Sequence, residues 1–280
     1  MELYQYVVRR LLLAEKCVPY LKDGQIITIF PGNAGSLIFR KVFQEKALEK
    51  DIKVVDTYTL PYACRKRGGP GTIDIHSVTG SAKNPAAALP GENTNAALTE
   101  LNDIYPEFTP MDNVLEIALL NPNMLVHPIG TILNLGRIEF SNGNFWLYKE
   151  GFTKSTWKLL HAIDKEKVNI LKKLGLHASP YLEFRKEIGA DPWEEFAEVS
   201  SRGPLGAKDR YITEDVPIAL VFMASLGDMV GVPTPTTRAI IRIFSEINQT
   251  DYFAEGRTVE KCGVVGKSQE ELLKYVRRGD

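Results

Sequence analysis

Gln25-Ile-Ile-Thr-Ile-Phe-Pro-Gly-Asn-Ala-Gly-Ser36 is the stretch that decides the fold. Gln25–Phe30 is a short apolar run that stops at Pro31-Gly32. A helical pattern then starts at Asn33 and carries Leu37, Val42 and Phe43 on one side as far as Glu49. Strand, tight turn and helix in that order open a βαβ unit, whose parallel strands need a crossover. Lys53–Thr59 supplies the second strand and ends before Leu60-Pro61. Upstream, Leu3, Val7, Leu11, Leu12 and Cys17 recur at helical spacing, and Lys22-Asp23-Gly24 closes that helix. Thr72–Val78 and Pro85–Leu89 read as further strands, separated by Gly80-Ser81.

Tyr105-Pro106 through Pro110 is a proline-punctuated link, and a domain boundary is placed there. Beyond it helical periodicity prevails, over roughly 113–136, 153–175, 179–200, 215–231, 235–248 and 268–278. A short β-hairpin is expected at Ile138–Tyr148, turning at Asn142-Gly143. The predicted fold class is α/β then all-α: a partial Rossmann-like parallel sheet domain at 1–105 and a helical domain at 106–280.

Composition narrows the function. The 280 residues carry a net charge of −1, which gives no electrostatic reason to expect nucleic acid or an anionic membrane as a partner. The longest apolar runs, such as Ile218–Ala224, fall short of the roughly 20 residues that span a bilayer. The 3 cysteines, Cys17, Cys64 and Cys262, are far apart and odd in number, which argues against a disulfide framework and for a reducing, cytoplasmic setting. No C-x-x-C, H-x-x-H or acidic cluster has metal-ligand spacing, and no G-x-S-x-G elbow exists, so metal and serine-hydrolase chemistry are poor readings.

The chemistry-bearing residues fall in a few segments. His127 lies in Asn121-Pro-Asn-Met-Leu-Val-His-Pro128, followed by Leu133-Asn134. An imidazole there suits general acid/base work near neutral pH, and it equally suits a buried structural histidine. Asp209-Arg-Tyr-Ile-Thr-Glu-Asp-Val-Pro217 contains Arg210, whose planar fork of donors matches a carboxylate. Asp215 in the same segment could orient an imidazole, or it could cap the helix that begins at Val216-Pro217. Thr59 and Cys64 sit in Thr59-Leu-Pro-Tyr-Ala-Cys-Arg65, at the carboxyl end of a strand, where open α/β sheets bind ligands. Pro31, Gly32 and Asn33 hold the same position after the first strand, where backbone N–H groups can approach an anion. Trp193 could cover a pocket but reads better as a helix-start aromatic packing inward, and Gly256-Arg-Thr258 reads as a turn whose arginine pairs a surface carboxylate.

Taken in register, these segments resemble the opine dehydrogenases of the octopine/nopaline dehydrogenase family, with Tyr148-Lys-Glu-Gly151 and Gly231-Val-Pro-Thr-Pro235 adding to the match. The resemblance spans essentially the whole chain. It implies a Rossmann domain joined to a helical catalytic domain, and the reductive condensation of an amino acid with a 2-oxo acid by NADH or NADPH. On that pattern His127 is the acid/base, Asp215 its partner, Arg210 the carboxylate anchor, and Thr59 and Cys64 line the substrate cleft. Pro31, Gly32 and Asn33 would lie on the cofactor side.

The sequence departs from the family at one point. No G-x-G-x-x-G occurs in it, whereas the family begins with a strand and a glycine-rich turn that grips the pyrophosphate. The expectation is that this front half is supplied by a partner chain or by sequence outside this one, and that the protein self-associates or pairs. Two other readings stay open: a non-enzymatic subunit that binds amino or oxo acids without a dinucleotide, and a reductase of small hydroxy or oxo acids on the same two-domain plan.

Overall fold

The computed structural model describes residues 5–66, 71–78, 83–193, 196 and 202–279. Helix α1 (Gln5–Cys17) leads to β1 (Ile26–Ile29), α2 (Gly35–Glu45), β2 (Lys53–Thr57), β3 (Tyr62–Lys66), β4 (Ile73–Val78) and β5 (Asn84–Leu89). Then come α3 (Thr94–Asn102) and β6 (Phe108–Pro110). Among the described residues, the main sheet has the order β1-β2-β5-β6. β1 pairs parallel with β2, and β5 parallel with β6, but β2 and β5 are antiparallel, with Val55 opposite Ala88. The all-parallel expectation is corrected at this one join. The chain returns to β5 by way of the antiparallel β3–β4 hairpin rather than a crossover helix, so the strand arrives from the opposite direction. Gly80-Ser81, expected to punctuate this region, lies outside the described residues.

β5 reads Asn-Pro-Ala-Ala-Ala-Leu and is buried along its whole length. The strand's period of two divides it cleanly. Ala86 and Ala88 pack with Val55, Ala97, Leu98 and Phe108 on the α3 face. Ala87 and Leu89 face Leu37, Ile38 and Val114 in the larger core. Small side chains here let helices close on both faces of the sheet.

The helical half follows as α4 (Val114–Leu120), α5 (Asn123–Ile132), α6 (Leu135–Phe140), α7 (Leu147–Gly151), α8 (Lys154–Leu174) and α9 (Tyr181–Glu187). After them come α10 (Arg210–Thr213), a π-helical turn (Val216–Leu220), α11 (Val221–Val230), α12 (Pro235–Asn248), α13 (Tyr252–Glu255) and α14 (Gln269–Arg278). The single helix expected over 113–136 is three, broken at Asn121-Pro122 and Leu133-Asn134. The expected hairpin at 138–148 is wrong: α6 and α7 occupy it. The Asn142-Gly143 turn is real, with φ of 50° and 74°, but it joins helices. The helix expected over 179–200 runs only from Tyr181 to Glu187, and much of the remainder lies outside the described residues.

Two buried acids fasten the helical half. Glu166, in the middle of α8, accepts hydrogen bonds from Thr236 N at 2.7 Å and Thr237 N at 3.0 Å, capping α12 from outside its own sequence. The Thr237 hydroxyl donates to the same carboxylate at 2.7 Å. Asp164 pairs with Lys167 at 2.6 Å and accepts from Tyr181 N at 2.9 Å at the start of α9.

Candidate active site

The site is assembled at the start of α5. Asn113 caps α4 through Leu115 N at 2.9 Å, and the chain breaks at Asn121-Pro122, where proline suits a helix's first turn. The Asn121 carboxamide works in both directions. Its oxygen accepts from Asn123 N at 2.9 Å, and its Nδ2 donates to Asn33 Oδ1 at 2.7 Å. α5 is thereby docked to the turn that follows β1. Met124 through Thr131 are all buried, and His127 is among them at 4% exposed.

His127 Nδ1 lies 2.7 Å from Asp215 Oδ2. A carboxylate at that distance accepts the Nδ1 proton and fixes the tautomer, leaving Nε2 for acid/base exchange. The cap reading of Asp215 is corrected here: its side chain makes no cap hydrogen bond and turns to the imidazole instead. Asp209 is the residue that caps α10, accepting from Tyr211 N at 3.2 Å. The π-helical turn after Asp215 is wide because Val221 N bonds Val216 O, five residues back. That leaves the Pro217 carbonyl to accept from Arg257 N at 2.7 Å.

Tyr211 joins the third predicted residue to this pair. Its ring lies flat on that of His127, centroids 3.8 Å apart and planes 6° apart. On Tyr211 rests Arg210, with its guanidinium carbon 5.2 Å from the ring centroid. Arg210 is exposed while the imidazole is buried. The three predicted side chains therefore share one neighbourhood, bridged by an aromatic ring that sequence reasoning had given no role.

Tyr148 is a second neighbour missed at that level. Its hydroxyl lies 3.1 Å from His127 Nε2. α7 reaches this position because Asn134 Nδ2 donates to both Gly130 O at 2.8 Å and Gly151 O at 3.1 Å, tying the end of α7 to α5. Gly130 permits the approach, since a Cβ there would sit 2.8 Å from Leu147 Cδ1. The only signal in the sequence was the Tyr148-Lys-Glu-Gly151 segment itself.

The other predicted residues sit around the rim. In the turn Pro31-Gly32-Asn33, Gly32 packs so tightly on Asp56 that a Cβ would fall 2.2 Å from Asp56 Cβ. Gly32 N donates to Thr57 O at 2.9 Å, and Gly32 and Asn33 are buried, while Pro31 is half-buried. Arg10 of α1 donates to the carbonyls of Pro31, at 2.7 Å, and Gly32. Thr59 is pinned by Asn84, which accepts from Thr59 N at 3.2 Å and donates to Thr59 O at 3.1 Å. Cys64 falls within β3, and its side chain lies outside the described set. Trp193 is half-exposed and packs edge-on against Trp157, centroids 5.3 Å apart, so the inward packing expected of it is not what the structure has.

Arg257 corrects another expectation. It is fully buried and donates to Asn33 O instead of pairing a surface carboxylate. Burial, with Arg10 nearby, pushes its guanidinium down to about 9. Asp56, beneath the same turn, is pushed up to about 6 by burial, against the opposing pull of the Ser36 hydroxyl at 2.7 Å and Arg10. No group of metal-binding side chains occurs among the described residues.

A carboxylate paired with a buried imidazole, beside an exposed guanidinium, is an arrangement whose chemistry suits acid/base work on small carboxylates. The sequence profile of the NAD/NADP octopine/nopaline dehydrogenase α-helical domain matches residues 110–248. The opine dehydrogenase of Arthrobacter sp. (strain 1C) is 32% identical over 263 residues, covering 91% of this chain and 72% of that protein. Vitopine synthase of Allorhizobium ampelinum is 24% identical, covering 89% of this chain and 69% of its own length. Among solved structures, octopine dehydrogenase with NADH and L-arginine superposes with a TM-score of 0.70 at 18% identity, over 97% of this chain and 75% of that one. The chain belongs to the opine dehydrogenase family and is an NAD(P)-dependent oxidoreductase of that type.

Proposed function

We propose that this protein condenses the amine of an amino acid with the carbonyl of a 2-oxo acid and reduces the resulting imine at the expense of NADH or NADPH. The carrying observation is the 2.7 Å pairing of His127 with Asp215 under the Tyr211 ring that also supports Arg210. His127 takes the proton that an ammonium group must lose before its nitrogen can attack. It returns a proton when the carbinolamine expels water. Asp215 holds the ring and stabilises its cationic form. Arg210, exposed at the mouth, receives a substrate carboxylate on its fork of donors.

The bound cofactor supplies the hydride, and the protein supplies orientation. The residues present fit the nicotinamide end: the turn after β1 lies at the carboxyl end of a parallel strand, and Asn33 is hydrogen-bonded to Asn121, just ahead of the His127 helix. Of Pro31, Gly32 and Asn33, Pro31 keeps the most accessible surface, so the contact is assigned to the rim of the turn. Thr59 and Cys64 are taken as walls of the substrate cleft. The two halves are divided at Tyr105-Pro106, with β6 as the strap by which the helical half returns to the sheet.

β1 has one strand neighbour among the described residues, and Leu11, Leu12 and Leu13 of α1 are exposed. An uncovered strand edge beside apolar side chains favours pairing with further polypeptide. A second copy or a partner carrying nucleotide-binding strands fits there, and light scattering after gel filtration reads the mass directly.

The test of the reaction is the disappearance of reduced cofactor. We expect it to require both an amino acid and a 2-oxo acid, in the protein alone or with its partner. Oxidation that ignores the amino acid would replace the reading with a simple oxo-acid reductase. Carboxylate binding in calorimetry without any NAD(P)H binding would replace it with a binding subunit.

A further inference from the structure

The contacts around the acid/base pair form a closed circuit. His127 Nδ1 meets Asp215 Oδ2 at 2.7 Å. Two residues beyond that aspartate, the Pro217 carbonyl accepts from Arg257 N at 2.7 Å. The Arg257 guanidinium donates from Nη1 to Asn33 O. Asn33 Oδ1 accepts from Asn121 Nδ2 at 2.7 Å, and Asn121 Oδ1 accepts from Asn123 N at 2.9 Å, where α5 begins. About one turn along α5 the circuit returns to His127. Arg257 supplies two of its links, one from the backbone and one from the side chain.

Arg257 is a poor choice for stabilising a core. Its side chain is fully buried, and its Nε and Nη2 meet no acceptor among the described residues. Burial drives its guanidinium down to about 9, so the surroundings disfavour the charge. One hydrogen bond to a carbonyl returns less than that desolvation takes away. An apolar side chain of similar volume would leave the interior at least as stable. What the guanidinium does specify is the turn after β1. Asn33 and Ala34 lie at φ of 49° and 59°, a left-handed pair without glycine. Arg10 takes the carbonyls of Pro31 and Gly32, and Arg257 takes that of Asn33. Three successive carbonyls thus face two guanidinium groups, and Asn33 is the residue that continues to α5.

We propose that Arg257 is a positioning residue, which acts through Asn33 to hold the His127 imidazole in register with the turn that follows β1. The proposal rests on the condensation reading above, in which that turn lies on the cofactor side. The carbon to be reduced must meet the turn's side and the imidazole at once. A misplacement of about 1 Å between them can lower the rate about 100-fold. Arg257 acts on that distance without touching a substrate.

Arg257→Met removes the side-chain link and leaves the backbone link. We expect kcat to fall about 10- to 100-fold, with KM for the amino acid and the oxo acid within about threefold of wild type. Asn121→Ala opens the same circuit at another point. In the double variant kcat should therefore stay within about threefold of the slower single, whereas independent losses would multiply. Arg257→Lys keeps a donor for Asn33 O and should lose less than Arg257→Met. Should the Met variant not fold, the Lys variant decides in the same cycle. A second measurement needs neither substrate nor cofactor. In protein labelled with 15N-histidine, assigned with His127→Gln, the ring resonances of His127 should move in each single variant and no further in the double. Losses that multiply, unmoved ring resonances, or an unchanged kcat in Arg257→Met would overturn the proposal. If the wild-type protein oxidises cofactor without an amino acid, the condensation reading falls, and the same cycle with the oxo acid alone still decides the role of Arg257.

Discussion

Asn121 donates from Nδ2 to the side-chain oxygen of Asn33, 2.7 Å away and 88 residues earlier in the chain. Both side chains are buried. This contact joins the turn after the first strand to the segment that leads into the helix carrying His127, so one carboxamide pair sets the two relative to each other. Replacing Asn121 by Ala leaves Asn33 Oδ1 without its donor and Asn123 N without its cap. The expected cost is about 1–3 kcal/mol, the penalty of a buried polar group left unmade, read from the urea midpoint. A midpoint unchanged from wild type would show that the two halves are held elsewhere.

Removal of the imidazole should separate chemistry from folding. His127→Gln keeps a polar group near Asp215, and turnover should drop about 10²- to 10⁴-fold, the usual share of general acid/base catalysis. Circular dichroism and the melting temperature should change little. Turnover within about tenfold of wild type would remove His127 from the proton chemistry.

At the mouth, Arg210→Lys keeps the charge but loses the planar fork. The expected result is a raised KM for one carboxylate substrate with kcat less affected, as for lost uniform binding. A rise in neither KM, against both substrates varied in turn, would take the anchor away from Arg210.

Asp56 makes folding stability depend on pH. Its carboxyl is held near 6 in the folded protein against an ordinary value of 3.8, with burial the main cause. The folded state therefore binds the proton more tightly than the unfolded one. The stabilisation is fully present below about pH 3.8 and is lost as pH rises through about 6. At about 1.4 kcal/mol per unit, the contribution is on the order of 3 kcal/mol. Urea titrations from pH 4 to 7 should show this fall in wild type relative to Asp56→Asn, which cannot titrate. Parallel curves for the two proteins would contradict it.

Glu166 caps a helix that begins 69 positions later in the chain, at Pro235. Glu166→Ala strands two backbone N–H groups and the Thr237 hydroxyl, and should cost about 1–3 kcal/mol in urea denaturation. Glu166→Gln, which can still accept, should lose less. Equal losses would mean that charge rather than hydrogen bonding matters there.

The division of legible from illegible follows sequence distance. His127, Asp215 and Arg210 each stood out by side-chain chemistry in a short distinctive segment, and β1, β2, β5 and α2 announced themselves by local periodicity, whereas the 3 residues of β6, too short for any period, read as a proline-punctuated link. Tyr148 and Tyr211 did not, because an aromatic in a helical segment carries no mark of the ring it will meet. Arg257 was read as a surface residue since Gly256-Arg-Thr258 has turn chemistry. Its burial comes from Asn33 O, more than 200 residues away. The direction of β5 against β2 was hidden because alternation records which faces are buried, not which way the strand runs. The Asn142-Gly143 turn misled for a related reason: it fits helix ends as well as hairpins, and α6 and α7, at 6 and 5 residues, are too short to show a helical period.

The widened turn at Val216–Leu220 has a mechanical result. By skipping one carbonyl it offers Pro217 as a cleat to which the backbone of Arg257 is lashed, while the same arginine's side chain grips the turn after the first strand. The chain's late stretch is thus moored both beside the aspartate paired with the imidazole and beneath the turn that follows the first strand. A nick or shortening that frees residues 256–257 would slacken both moorings together, so activity would fail while most of the hydrophobic interior still held its shape.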